Sequence, residues 1–233
     1  DDVGGIAGVP ARKAAVLVID VQPIWSSSDP IVQNFPGLGK NVSALLAKAR
    51  GAGMPVVHVR ASYDDSPHVA LLRRNAPHLN RTGCIDPHAT EEWAEALPGE
   101  HIVYKPSFNG FHKTNLESLL KETLQVERVY LCGLVTSACV LSTALGAFSA
   151  GIDPIIVEDC VADRTRQRHE AALALWDHYV FRVCRSWRDV TTDFEAEVEA
   201  AHGAVEEEEA SLSDTPRTGY DAPAILGGQQ PRL

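Results

Sequence analysis

A cysteine, a carboxylate and a lysine each stand where an apolar segment of this chain ends. Asp20 closes the apolar run 14–20, Lys105 follows the run 101–104, and Cys139 lies shortly after the run 128–132. A thiol can attack a carbonyl carbon, a carboxylate can accept the thiol proton and return it to a leaving amine, and an ammonium can favour the thiolate. If the fold brings them together, these three residue types predict nucleophilic hydrolysis.

Cys139 is expected at the first turn of a helix, after Gly133 and a run of small residues. Unpaired backbone N–H groups and the positive end of the helix macrodipole lie there, and both favour thiolate over thiol. Taken alone, Cys139 could instead be a small core residue, Asp20 a turn or capping carboxylate, and Lys105 a solvated loop residue. Their joint occurrence at strand ends favours the catalytic interpretation.

Short apolar runs alternate with helical patterns along the chain. This pattern predicts an α/β fold with three layers, α/β/α, around a doubly wound, six-stranded, mostly parallel sheet. The predicted strands are 14–20, 55–60, 101–104, 128–132, 154–158 and 181–184. The predicted helices are 38–50, 90–97, 114–124, 139–150, 166–179 and 190–202. Residues 61–87 are expected to form a polar connection, and ligands of such a sheet bind at the carboxyl ends of its strands.

The length and charge of the chain limit its organisation and its partners. With 233 residues, 45% of them hydrophobic, the chain can bury one substantial core. We expect an N-terminal arm (1–12), one hydrolase domain (13–203) and an acidic, Pro/Gly-rich tail (204–233). The net charge is −10, but ten of the 31 acidic residues lie from Asp193 onwards. No basic face is evident, so we expect neither a nucleic acid nor a membrane as a partner.

The cysteines and the apolar segments indicate a compartment. Five cysteines, an odd number, are scattered without the spacing of a zinc site. No N-terminal apolar stretch resembles a signal peptide or a membrane span. We therefore expect a reducing, cytoplasmic setting.

The segment after the first strand argues against nucleotide binding. A dinucleotide site would need glycines there, so that the backbone can approach a pyrophosphate. The chain instead reads Asp20-Val-Gln-Pro-Ile-Trp25, and it has no Gly-x-x-x-x-Gly-Lys-Ser/Thr loop. No cofactor is therefore expected.

Three motifs occur in order between residues 13 and 189. They are Asp20-x-Gln22-x-x-Trp25, Lys105-x-x-x-Asn109-Gly-Phe111-x-x-Thr114-x-Leu116, and Gly133-Leu-Val-Thr136-x-x-Cys139-Val140. Together they resemble the isochorismatase-like cysteine hydrolases, which include nicotinamidases, N-carbamoylsarcosine amidase-like enzymes and ureidoacrylate or biuret amidohydrolases. The resemblance implies the doubly wound fold and a catalytic triad of Asp20, Lys105 and Cys139.

The resemblance also implies the other parts of the site. A cis peptide between Leu134 and Val135 would aim the amide of Val135, with that of Cys139, into an oxyanion hole. A non-proline cis bond costs about 3–4 kcal/mol, so only an enforcing fold keeps it. The expected substrate-binding side chains are Gln22, Trp25, Phe108, Asn109, Phe111 and Thr136. Asn109 replaces the serine often found at its position in the family.

The substrate is predicted only as a class. Nicotinamidases of this superfamily carry an Asp-x-His metal motif after the second strand, and residues 60–68 lack it, so we expect a metal-independent enzyme. Asp64, Asp65 and His68 are better interpreted as loop residues than as metal ligands. The expected reaction is cleavage of a C–N bond in a small carboxamide or ureido compound through a thioester. The alternatives are a catalytically silent module that binds a metabolite or a protein, and an isochorismatase-type hydrolase. The family habit favours a homo-oligomer, a dimer or tetramer.

Overall fold

A single parallel sheet forms the centre of the computed structural model, which describes residues 13–63, 67–75 and 85–191. The sheet has six strands in the order β3-β2-β1-β4-β5-β6, and all five strand pairs are parallel. The strands are β1 (Ala14–Ile19), β2 (Val56–Ala61), β3 (His101–Lys105), β4 (Arg128–Leu134), β5 (Asp153–Ala162) and β6 (Arg182–Cys184). The predicted doubly wound α/β fold is confirmed.

Helices connect the strands and cover the sheet. Within the described residues they are α1 (Pro23–Ser26), α2 (Asp29–Asn34), α3 (Leu38–Gly51), α4 (Pro67–Asn75), α5 (Leu116–Ser118), α6 (Leu141–Ser149) and α7 (Arg166–Trp176). A π-helical turn, Leu119–Thr123, continues α5, and another, Thr136–Val140, leads into α6. Two short 3₁₀ turns lie at Glu92–Ala94 and Trp187–Asp189.

The apolar run of β1 is continuous because the strand is buried on both faces. Val16 and Val18 pack in one core cluster with Leu45 of α3. Leu17, on the opposite face, packs in a second cluster with Ala144 of α6. Successive side chains of a strand point to opposite faces, so β1 joins the two helical layers.

The connection between β2 and β3 differs from the sequence-based expectation in two places. The predicted polar connection 61–87 contains α4, whose first residue is Pro67. Proline suits the first turn of a helix, because an N–H at that position would have no partner within the helix. Pro67 therefore marks the start of a helix here, although proline in the interior of a helix would end it. The predicted helix 90–97 is reduced to the turn Glu92–Ala94.

Strand β5 runs to Ala162, beyond the predicted end at residue 158. A register shift against β4 lies in this stretch, and such a bulge accommodates the polar residues at 158 and 159 without ending the strand. The Asp159 carboxylate is satisfied there by the Trp187 N–H at 2.8 Å and the Ser186 hydroxyl at 2.9 Å.

Some predictions lie outside the described residues. They are the arm 1–12, the tail 204–233, all but the first two residues of the predicted helix 190–202, and the loop residues Asp64 and Asp65. The described part falls within the expected domain 13–203.

The sheet reverses its winding direction between β1 and β4, because the chain adds β2 and β3 on one side of β1 and then crosses to the other. A crevice at the carboxyl ends forms at such a switch point. Gly133 of β4 lies opposite Ile19 of β1 and has a φ of 110°. A Cβ atom there would stand 2.0 Å from the Ile19 carbonyl oxygen, so only glycine fits.

Gly133→Ala should therefore abolish stable folding or lower the free energy of unfolding by more than about 4 kcal/mol. Gly151→Ala is the matched control, because Gly151 also has a positive φ (72°) but a Cβ there meets no atom within 4 Å. The control should lose only about 1 kcal/mol in urea unfolding. Equal losses in the two variants would contradict the argument from close approach.

Candidate active site

A buried ion pair lies at the switch point. Asp20 directly follows β1 and Lys105 is the last residue of β3, and their Oδ2 and Nζ atoms are 2.7 Å apart. Their side chains are 2% and 0% exposed. Strand β2 separates β1 from β3, so the residue on β3 must reach across a strand end. The long, flexible stem of lysine meets that requirement.

Tyr63 and Cys139 complete a ring of polar groups with this pair. The Lys105 ammonium donates to the Tyr63 hydroxyl at 3.1 Å and to the Ser107 carbonyl at 3.0 Å. The Tyr63 hydroxyl is 3.5 Å from Cys139 Sγ, and the Asp20 carboxylate is near enough to act on the pKa of the Cys139 thiol. Three of the four groups are the predicted triad, and the structure brings them together.

Burial controls the ionisation of the polar side chains in this site. It raises the pKa of the Asp20 carboxyl, although the Lys105 ammonium opposes the rise. Burial alone would lower the pKa of Lys105, but Asp20 and Cys139 together outweigh it and the pKa is raised. Asp20 is therefore a stronger base than an ordinary aspartate, and Lys105 keeps its proton.

The thiol of Cys139 does not have the low pKa that its helix position suggested. Burial, followed by the nearby Asp20 carboxylate, raises its pKa from 9.0 to about 12, against the lowering effect of Lys105 and the Tyr63 hydrogen bond. The expectation that the thiolate is favoured at rest is wrong, because the loss of water at a buried site exceeds the effect of one helical turn. Cys139 rests as a thiol.

The turn before Cys139 is held in place from two sides. The Leu134–Val135 peptide is cis, as the resemblance implied. The Val135 carbonyl accepts hydrogen bonds from Ala138 N at 3.1 Å and Val140 N at 3.3 Å. The fully buried Asp163 carboxylate accepts from Ser137 N at 2.6 Å, which ties this turn to the end of β5. The helix begins at Thr136, three residues before the predicted start at Cys139.

Gln22 lies at the site, but its amide is engaged with the backbone. Its Oε1 accepts from Ala61 N at 3.0 Å, and its Nε2 donates to the carbonyls of Ala61 at 3.3 Å and Asp86 at 2.9 Å. These bonds hold the end of β2 beside the segment after β1. Both Nε2 donors are used, so without breaking one of these bonds a substrate could contact this amide only through the second lone pair of Oε1.

Aromatic side chains surround the Tyr63 ring. Trp25 and Phe108, both predicted to bind substrate, lie with ring centroids 6.3 Å from that of Tyr63. The ring of His68 meets Tyr63 edge-on at 4.8 Å. Trp25 and Phe108 therefore lie beside the polar groups described above.

Three other expected substrate-binding residues have structural contacts. Asn109 Oδ1 accepts from Phe111 N at 2.8 Å, and a Cβ at Gly146 would meet both side chains. Asn109 and Phe111 therefore pack on α6, two turns after Cys139. Thr136 is fully buried, with its hydroxyl 2.9 Å from Nδ1 of His169. The contacts described for these three side chains are thus with neighbouring residues of the fold.

Sequence reasoning missed Tyr63 and Asp163. Each follows a strand end, Tyr63 by two residues after β2 and Asp163 by one after β5. That position was the available signal, since polar groups at the carboxyl ends of parallel strands converge. The polar character of the stretch 61–87 and the early predicted end of β5 hid both residues.

Within residues 13–63, 67–75 and 85–191, no group of three or more His, Cys, Asp or Glu side chains is arranged to hold a metal ion. In the same ranges, no helix combines the length and the apolar character needed to cross a bilayer.

Comparison with known proteins identifies the class. The model of the isochorismatase domain matches residues 14–187, so the chain belongs to the isochorismatase family. It is 31% identical over 201 residues to maleamate amidohydrolase from Pseudomonas putida, covering 82% of this chain and 88% of that protein. It is 28% identical over 168 residues to Nicotinamidase 3 from Arabidopsis thaliana, covering 70% and 80%.

A solved structure agrees with this assignment. N-carbamoylsarcosine amidase from Thermoplasma acidophilum superposes with a TM-score of 0.62 at 25% identity, over 77% of this chain and 98% of that one. The resemblance read from the three motifs is thus confirmed at the level of the family.

Asp20→Asn should destabilise the protein by about 3–5 kcal/mol, because the Lys105 ammonium would stay buried without its counter-charge. The double variant Asp20→Asn/Lys105→Met removes both charges and should recover most of this loss. Urea unfolding at neutral pH measures both free energies. If Asp20→Asn were as stable as the parent protein, Asp20 and Lys105 would not form a buried pair of opposite charges.

Proposed function

We propose that this protein is a cysteine-dependent amidohydrolase that cleaves a C–N bond of a small carboxamide or ureido compound. The convergence of Cys139, Asp20 and Lys105 at the carboxyl ends of three strands carries the proposal. Relatives named maleamate amidohydrolase, nicotinamidase and N-carbamoylsarcosine amidase support the same class of substrate.

The positions of Asp20, Lys105 and Cys139 suggest the order of the steps of hydrolysis. As Cys139 Sγ attacks the substrate carbonyl carbon, its proton passes to the nearby Asp20 carboxylate, whose raised pKa makes it a stronger base than an ordinary aspartate. The carbonyl π electrons move to oxygen. When the C–N bond breaks, Asp20 returns the proton to the leaving nitrogen, and a thioester remains. Asp20 then takes a proton from water and the hydroxide attacks the thioester carbon. The C–S bond breaks, the acid product is released, and Asp20 returns the proton to the Cys139 thiolate.

The oxyanion formed in both halves of this cycle needs donors. We assign the backbone N–H groups of Val135 and Cys139 to that role, because they belong to the turn held by Asp163. Loss of one such donor typically slows a reaction by about 100- to 1,000-fold. Lys105 remains an ammonium throughout and balances the charge that moves between Asp20 and sulfur.

Metal independence is part of the proposal. Every step above uses groups of this chain, and residues 60–68 lack the Asp-x-His motif. Activity should therefore survive dialysis against a chelator, measured as ammonia released from the best substrate. If activity were lost and then restored by added zinc or manganese, metal independence would be contradicted, and the rest of the proposal would stand.

Ammonia release from maleamate, nicotinamide and N-carbamoylsarcosine tests the activity, and isochorismate tests the vinyl-ether alternative. We expect at least one amide or ureide to be hydrolysed, and Cys139→Ala to lose at least about 1,000-fold in kcat because the nucleophile is gone. Cys132→Ala is the matched control, since Cys132 is a buried cysteine of β4 that lies in the core. Activity that persists in Cys139→Ala would refute the mechanism.

The pH dependence follows from the raised pKa values. Asp20 must be ionised to accept the thiol proton, so kcat/KM should fall as pH falls, with a midpoint above the ordinary aspartate value of 3.8. The profile should show no rise near pH 9, because the pKa of the Cys139 thiol is raised from 9.0 to about 12. Measuring kcat/KM from pH 4 to 10 checks both points. A rise centred near pH 9 would indicate an ordinary thiol that ionises before it attacks.

A further inference from the structure

Tyr63 occupies a place in the active site that the triad does not explain. Its hydroxyl lies between the Lys105 ammonium, at 3.1 Å, and the Cys139 sulfur, at 3.5 Å. The residue is 3% exposed, and Lys105 Nζ stands 5.2 Å from the centre of its ring. A buried hydroxyl beside a nucleophile and a cation is in a position to act on both.

The donors and acceptors of the ring determine which way the hydrogen bonds run. An ammonium has only donors, so the Tyr63 oxygen accepts from Lys105. Once the proposed mechanism has passed the thiol proton to Asp20, the Cys139 sulfur has only acceptors. The phenol hydrogen is then the donor of the 3.5 Å contact, and Cys139 Sγ accepts it.

We propose that Tyr63 is a fourth catalytic residue, which donates its O–H to Cys139 Sγ and stabilises the thiolate as it forms. This inference rests on the proposed function and deepens it. The phenol proton does not transfer: the S–H bond breaks, its proton goes to Asp20, and the sulfur lone pair forms the bond to carbon. Hydrogen bonds to a charged partner are stronger than those to a neutral one, so this contact strengthens as charge develops on sulfur.

The surroundings of Tyr63 suit a donor that keeps its proton. Burial, followed by the charges of Cys139 and Asp20, raises the pKa of the Tyr63 hydroxyl well above 10. The hydrogen bond from Tyr63 also acts to lower the pKa of the Cys139 thiol, against burial. The Lys105 ammonium polarises the phenol on its other side and makes it a better donor.

A packing role is the competing interpretation, because the Tyr63 ring contacts Trp25, His68 and Phe108. Tyr63→Phe separates the two roles, since it keeps the ring and removes only the hydroxyl. The control is Tyr130→Phe, which removes another buried hydroxyl, one that donates to the Thr191 carbonyl at 3.4 Å.

The experiment measures two rates in the full-length protein. The first is alkylation of Cys139 by iodoacetamide at pH 8, followed at that residue by mass spectrometry with Cys139→Ala as the blank. The second is kcat and KM for the best amide substrate. In Tyr63→Phe we expect both the alkylation rate and kcat to fall by about 10- to 100-fold, with little change in KM. Tyr130→Phe should leave both rates near those of the parent protein.

Unchanged alkylation and unchanged kcat in Tyr63→Phe would overturn the inference, as would an equal loss in Tyr130→Phe. If Tyr63→Phe fails to fold, fluorotyrosine at position 63 keeps the ring and the hydroxyl. Fluorine makes the phenol a stronger donor, so alkylation should be faster than in the parent, and an unchanged rate would overturn the inference.

Failure of the inference and failure of the proposed function give different results. Alkylation needs no substrate, so slower alkylation of Tyr63→Phe supports the donor role even if no amide is hydrolysed. Amide hydrolysis that requires Cys139 but proceeds fully in Tyr63→Phe would leave the proposed function standing and refute only the role of Tyr63.

Discussion

The ion pair between Lys105 and Asp20 is the interaction on which the site depends. Two opposite charges 2.7 Å apart are held where almost no water reaches them. Such a pair is destabilising unless its remaining donors and acceptors are satisfied, because the desolvation of each ion is expensive. Tyr63 and the Ser107 carbonyl supply such partners for the Lys105 ammonium. Among the described residues, the Asp20 carboxylate oxygens have no hydrogen-bond partner beyond the ion pair, so the charge of Lys105 is what makes this buried carboxylate tolerable.

Two effects compete at the sulfur of Cys139, and their outcome shapes the chemistry. A helix start and a nearby ammonium favour the thiolate, whereas burial and the Asp20 carboxylate favour the thiol. Burial prevails, and the pKa rises to about 12. A thiolate therefore does not wait in the resting site. In the proposed mechanism it forms as the proton moves to Asp20, so a group that contacts the sulfur at that moment can contribute to the rate.

The sequence predicted the parts of this fold that local patterns determine. The continuous apolar run of β1 indicated a strand buried on both faces, and parallel strand ends indicated where Asp20, Lys105 and Cys139 meet. Tyr63 and Asp163 escaped because their roles depend on partners 76 and 26 residues away along the chain. Contacts between residues so far apart in the chain produce no periodic pattern in the sequence. The pKa of Cys139 was mispredicted for the same reason, since burial is a property of the whole fold.

The residues of the family motifs divide into two groups in this structure. Gln22 ties the end of β2 to the segment after β1, Thr136 bonds to His169, and Asn109 packs against Gly146. These side chains hold the strand ends and the turn in which Cys139 lies. Trp25 and Phe108 form the other group, with ring centroids 6.3 Å from that of Tyr63. One group thus positions the segments that carry Asp20 and Cys139, because its polar atoms bind the backbone and neighbouring side chains, while the other packs beside the polar groups themselves.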